Sequence, residues 1–153
     1  NAVLLLPGRG ALRDDCRTLA QQKDVADRVR FPGFTSNIEQ YYRAADLCVS
    51  SSRSEGLPFN VMEAMACGLP AVLSDVKGHE DLVRSGENGL LFPYDDQNAF
   101  IRAVKQAAEP ALQAQMSAAA VQTAVPYGID AVFSTLTAIY SQAIPKQPKE
   151  VSE

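Results

Sequence analysis

Five short apolar runs, at residues 2–6, 29–31, 47–49, 70–74 and 90–92, alternate along the chain with longer segments of helical periodicity. Runs this short and this continuously apolar read as strands buried on both faces, the pattern of a parallel sheet. Turn residues punctuate them: Pro7-Gly8-Arg9-Gly10 closes the first run, Pro32-Gly33 the second and Pro93 the fifth. Helices are predicted over 11–23, with Leu12, Cys16, Leu19 and Ala20 on one face, and over 38–45, where Ser36 or Asn37 can supply the cap. Another starts after Pro58 and ends at Gly68, and further helices are expected at 80–84, 98–108, 111–125 and 128–144. Such alternation folds as a doubly wound α/β domain, a parallel sheet of about five strands with helices on both faces. The 153 residues allow one domain, spanning 1–144, with a core large enough to need no disulfide or metal staple. Residues 145–153, with two prolines and four charges, are expected to form a disordered tail.

Charge and composition narrow the partners. Fourteen basic residues stand against eighteen acidic ones, a net charge of −4, with no basic stripe for a nucleic-acid backbone, so no nucleic acid is expected. Cys16, Cys48 and Cys67 have no Cys-x-x-Cys spacing and His79 is the sole histidine, so no metal and no cofactor is expected. The odd cysteine set fits a reduced, cytoplasmic compartment. No apolar run reaches the ~18 residues that a membrane-spanning helix requires.

In a doubly wound sheet, ligands settle beyond the carboxyl ends of the strands, here the loops at 7–10, 32–36, 50–58 and 75–79. The third loop opens the most informative segment, Arg53-Ser-Glu-Gly-Leu-Pro-Phe-Asn-Val-Met-Glu-Ala-Met-Ala-Cys-Gly-Leu-Pro70. It sets a polar loop directly before a helix N-terminus, where free N–H groups and the positive end of the dipole favour an anion such as a phosphate. Gly56 lets the backbone approach a ligand, and Pro58 has no N–H, so Leu57, Phe59 and Asn60 are the candidate donors. Between Val61 and Cys67 only Glu63 is polar, which places it on a helix expected to be mostly buried. A carboxylate there needs hydrogen-bond donors. The vicinal hydroxyls of a ribose would satisfy both oxygens; a backbone amide or a serine of the preceding loop would serve structurally. Glu55 can reach sugar hydroxyls beyond the phosphates or face solvent. Phe59, Met62 and Met65 are expected in the core.

Glu55-Gly-Leu-Pro-x-x-x-x-Glu63-Ala-Met-Ala-x-Gly68-x-Pro70 resembles the signature of family 4 glycosyltransferases, retaining two-domain Rossmann-like enzymes of the GT-B type that use nucleotide-sugar donors. Val29-Arg-Phe-Pro-Gly33, Tyr42-Arg-Ala-Ala-Asp46 and Asn88-Gly-Leu-Leu-Phe92 resemble further strands and junctions of that family, so the likeness runs over residues 2–144. It implies the C-terminal, donor-binding domain, with a UDP- or GDP-type sugar as partner and transfer to an acceptor hydroxyl in polysaccharide or glycolipid assembly. By that resemblance Glu63 would bind the ribose hydroxyls and Glu55 would position the transferred sugar without acting as nucleophile. The backbone of Gly56, Leu57, Pro58 and Phe59 would hold the diphosphate and sugar. Gly33, Phe34 and Thr35 would lie against the base, and the stretch from Gly8 to Gly10 would line the cleft.

The family's donor domain opens with one further strand and a Gly-Arg-Leu-x-x-x-Lys-Gly type loop, whose Arg and Lys neutralise the diphosphate. An N-terminal acceptor domain precedes it and commonly provides peripheral membrane attachment. Neither has a counterpart here, and a start at Asn1 reads as a cut, so the isolated chain is expected not to catalyse transfer. The absent strand lies, in the family, between those at 2–6 and 47–49, which are therefore expected either to close on each other or to leave a groove. Two other functions share these features: the donor half of a UDP-sugar 2-epimerase, and a non-catalytic nucleotide- or partner-binding module. The Glu55–Glu63 pair with Gly-Leu-Pro favours the transferase. His79 is expected as a surface residue capping a helix at Glu80, and Cys67 as a small buried residue.

Overall fold

The structure, a computed structural model, describes residues 2–144; the tail expected at 145–153 lies outside the described residues. The elements run β1 (Leu4–Pro7), α1 (Arg13–Gln22), β2 (Val29–Gly33), α2 (Glu39–Ala44), β3 (Cys48–Ser50), α3 (Phe59–Ala66), β4 (Ala71–Ser74), α4 (Lys77–Glu80), β5 (Gly89–Phe92), α5 (Gln97–Ala107), α6 (Pro110–Ala124) and α7 (Ile129–Ala143). The five strands all pair in parallel, as the α/β alternation requires.

β4 organises the core. Every residue of it is buried, and the period-two alternation sends Ala71 and Leu73 to one face and Val72 to the other. Ala71 and Leu73 pack with Val61, Met62 and Met65 of α3, with Leu82 and Val83 after α4, and with Ala120 and Ala124 of α6. On the opposite face Val72, Leu90 and Phe92 pack with Ala99, Ala103 and Ala107 of α5 and with Met116 of α6. Helices therefore cover both faces. The small residues of α6 let it lie close to α3, and Ser117 Oγ donates to the Gly68 carbonyl at 2.7 Å, fixing the end of α3. Buried Asn88 ties the turn before β5 to α6, its amide donating to the Leu82 carbonyl at 3.0 Å and Thr123 Oγ1 at 2.8 Å.

The ladder is interrupted. β1 pairs with β2 alone, while β3, β4 and β5 form a separate run, and no ladder joins β1 to β3. The two expected neighbours have not closed on each other. As a result β1, β2 and β3 are half-exposed, where burial on both faces was expected. The stripe expected on α1 is likewise uncovered: Ala20 is buried, but Leu12, Cys16 and Leu19 are exposed, because a two-stranded ladder offers too little surface to cover it. α4 begins at Lys77, earlier than the helix expected at 80–84, because the Val76 carbonyl already accepts from the His79 and Glu80 amides. α7 forms as expected, yet none of its residues is buried.

Candidate functional site

Parallel strands deliver the segments that follow them to one end of their ladder, and the segments that follow β1 to β4 are joined in two pairs. In the first, the Gly8 amide donates to the Gly33 carbonyl at 2.7 Å, joining the loops after β1 and β2. Gly33 sits at φ +84°, a left-handed conformation that suits a glycine, and it turns the chain so that Phe34 projects outward. Phe34 is 66% exposed, and the Arg9 guanidinium lies 5.1 Å from its ring centroid. Thr35 Oγ1 accepts from the Asn37 amide at 3.0 Å, closing the turn. The guanidinium lies over the ring, so the turn carries an exposed cation–aromatic pair against which a planar ring can stack.

The second group is built on the loop between β3 and α3. Glu55 is half-buried there, Gly56 and Leu57 are exposed, and Pro58 is buried. The Pro58 carbonyl accepts from the Val61 and Met62 amides, so the helix begins at Phe59 and the N–H groups of Phe59 and Asn60 have no acceptor within it. Phe59 is 71% exposed and not a core residue, whereas Met62 and Met65 are buried as expected. The start of α4 lies alongside. A Cβ on Gly78 would stand 2.4 Å from the Gly56 carbonyl oxygen and 2.7 Å from that of Glu55, so only a glycine permits this approach.

Glu63 is exposed, which corrects the expectation of a mostly buried carboxylate. An uninterrupted apolar run has no periodicity, yet α3 packs with Val61, Met62, Ala64 and Met65 inward and leaves an exposed stripe through Phe59, Glu63 and Ala66. The Glu63 partner is neither a backbone amide nor a loop serine but Tyr42 of α2, whose hydroxyl donates to Oε2 at 3.1 Å. Burial, and then this bond to Glu63, hold the Tyr42 phenol well above the usual tyrosine range, so it stays a donor. Oε1 makes no bond to the described residues and is open to a ligand hydroxyl.

His79 is fully buried rather than at the surface, and α4 has Val76, not a histidine, before its first residue. Its ring contacts Ser74, whose hydroxyl in turn donates to the Ser52 carbonyl. Sequence reasoning missed this group and Tyr42. The spacing of His79, Leu82 and Val83, three and four residues apart, is the signal that marks His79 as inward-facing. The cationic side chains of these segments are Arg9, Arg53 and Lys77, all exposed. Among the described residues no cluster of His, Cys, Asp and Glu is placed to hold a metal ion, and no helix is long and apolar enough to cross a membrane.

The chain as a whole has counterparts among known proteins. The lipopolysaccharide core biosynthesis mannosyltransferase LpsB of Rhizobium meliloti is 32% identical over 134 residues, 85% of this chain and 38% of its own length. Sucrose-phosphate synthase from Thermosynechococcus elongatus superposes with a TM-score of 0.82 at 31% identity, over 92% of this chain and 38% of that one. HepE of Anabaena, solved with UDP, superposes with a TM-score of 0.78 at 23% identity over 93% of this chain and 41% of its own, a likeness of fold. The chain thus spans about two-fifths of the length of each of these three proteins. Residues 1–109 match the sequence family described as glycosyl transferases group 1, and the chain belongs to that family.

Proposed function

We propose that this chain is the donor-binding domain of a retaining glycosyltransferase that moves a hexose from a nucleoside diphosphate to an acceptor hydroxyl in glycan assembly. The observation that carries the reading is the placement of Glu63 on the exposed stripe of α3, one oxygen held by Tyr42 and the other open, beside a helix start whose first N–H groups have no acceptor among the described residues. A diphosphate would sit at that helix start, where the dipole and the Phe59 and Asn60 amides offset its charge. The ribose hydroxyls would donate to Glu63. Phe34 and Arg9 offer a stacking face for the base, and Glu55 is near enough to the Gly56–Phe59 backbone to orient the sugar. When the bond from the anomeric carbon to the phosphate oxygen breaks, the developing negative charge falls on the diphosphate, which these N–H groups stabilise. UDP is the first nucleotide to test, because HepE, of the same fold, is solved with it.

In this reading the acceptor is bound by a second domain of a longer, cytoplasmic protein with peripheral attachment to the membrane. The chain alone, in which Arg9, Arg53 and Lys77 are the cations of the loops at 7–10, 50–58 and 75–79, binds the donor weakly and does not turn it over. Calorimetry of the purified chain with UDP, GDP and their hexose conjugates tests the binding. Glu63→Ala should weaken the affinity by about 10- to 100-fold, the loss expected when charge-assisted hydrogen bonds are removed. The reading fails if the parent binds none of these compounds or if Glu63→Ala binds as tightly as the parent. Sustained sugar transfer by the chain alone would overturn the assignment of acceptor binding to a second domain.

A further inference from the structure

His79 is the sole histidine of the sequence and has no exposed surface. Its Nδ1 lies 2.9 Å from the Ser74 carbonyl oxygen, which can only accept, so the neutral ring carries its hydrogen on Nδ1. The Ser74 hydroxyl, 3.2 Å from the same nitrogen, spends its own hydrogen on the Ser52 carbonyl at 2.7 Å. Nε2 is left as a buried lone pair with no donor among the described residues, a destabilising arrangement. Ser52 opens the loop that carries Glu55. Within that loop, residues 53–57 make no backbone–backbone hydrogen bond among the described residues, so the anchors at its base bear on its order. The second anchor is the close seat of Gly78 under the carbonyls of Glu55 and Gly56.

We propose that His79 is a positioning residue for this loop. Through Ser74 it holds the Ser52 carbonyl, while its neighbour Gly78 seats Glu55 and Gly56, so the loop is fixed from beneath before any ligand arrives. The proposal rests on the reading of this loop as donor-binding, but its first two tests need no ligand. Nitrogen-15 NMR of the histidine-labelled chain should place the ring proton on Nδ1. Native-state cleavage by trypsin after Arg53, in the middle of the loop, should then quicken by about tenfold in both His79→Leu and Ser74→Ala, the change expected for one net hydrogen bond, while the Val72 and Leu90 amides keep their parental exchange rates. His79→Asn, whose Nδ2 can donate from the place of Nδ1, should return the loop to within about threefold of the parent. UDP affinity should follow the same order. A ring proton on Nε2, a loop at its parental rate in both His79→Leu and Ser74→Ala, or core strands loosened as much as the loop would overturn the proposal. If the parent binds neither UDP nor GDP, the functional reading fails, and tryptic cleavage of the unliganded chain still decides the role of His79.

Discussion

Whether a side chain near this site can react depends on how its surroundings treat its proton. Cys48, on β3 beside the α3 core, is half-buried, and burial pushes its thiol up to about 11. At pH 8.5 its thiolate fraction is roughly a hundredfold below that of an ordinary thiol. Cys16 lies exposed on α1, open to reagent. Iodoacetamide at pH 8 should therefore label Cys16 and leave Cys48 unmodified, and the Cys48 rate should go on rising with pH until about 11. The folded state holds this proton more tightly than the unfolded chain, so the contribution to stability is complete below the unfolded thiol's pKa and is lost as pH climbs through the folded one. Peptide mapping by mass spectrometry reads both sites, and equal labelling at pH 8 would contradict the burial argument. At this scale sequence patterns single out the residue types of the candidate site but not their exposure. Glu55, Glu63 and the Gly-Leu-Pro turn stand out by spacing, but Tyr42 meets Glu63 across 21 positions, a pairing that only the approach of α2 to α3 creates.

Elements were more legible than their surroundings. Strand and helix positions follow from apolar runs and turn residues, because both are local. Which faces are covered depends on neighbours the pattern does not identify, as α7 illustrates. It presents Ile129, Phe133, Leu136 and Tyr140 at helical spacing, the mark of a buried stripe, yet Ile129 is 80% and Phe133 68% exposed. Helical stability in proteins comes mostly from packing of such a stripe, and α7 obtains little of it from the described chain. A chain ending at Gly128 should lose helical circular dichroism in proportion to the residues removed, while its melting temperature stays within about 4 °C of the parent, the shift that ~1 kcal/mol produces in a domain of this size. A larger drop would mean that α7 packs on the core in solution. By contrast α6, with Met116 and Ala120 fully buried, belongs to both halves of the core, and its removal should unfold the chain.

At the scale of the molecule, the interrupted ladder divides the chain into parts of unequal stability. β3, β4 and β5 are sandwiched between α3 and α6 on one side and α5 on the other, whereas β1 and β2 form a two-stranded ladder with half-exposed faces. Two strands with little apolar cover are marginal on their own, while three with helices on both faces are not. Both inner edges, β1 and β3, are left without ladder partners toward each other, so neither gains the protection of a central strand. Opening of the β1–β2 unit should therefore require less free energy than global unfolding, and native-state hydrogen exchange will separate the two. Amides of Val72, Leu73 and Leu90 should exchange only through global unfolding, with a steep denaturant dependence. Those of Leu4 to Leu6 and Val29 to Phe31 should exchange through a smaller opening, at rates at least about tenfold faster and with a shallower dependence. One half of the site would then loosen without the other, since the Gly8–Gly33 contact and Phe34 belong to the weaker part while Glu55, Glu63 and the start of α3 belong to the stronger. A nucleotide that bridges both parts should slow exchange at Leu4 to Leu6 far more than at Val72, because only the weaker unit has stability to gain below the global limit. Uniform protection of all five strands in the free chain would show instead that the two ladders fold as one.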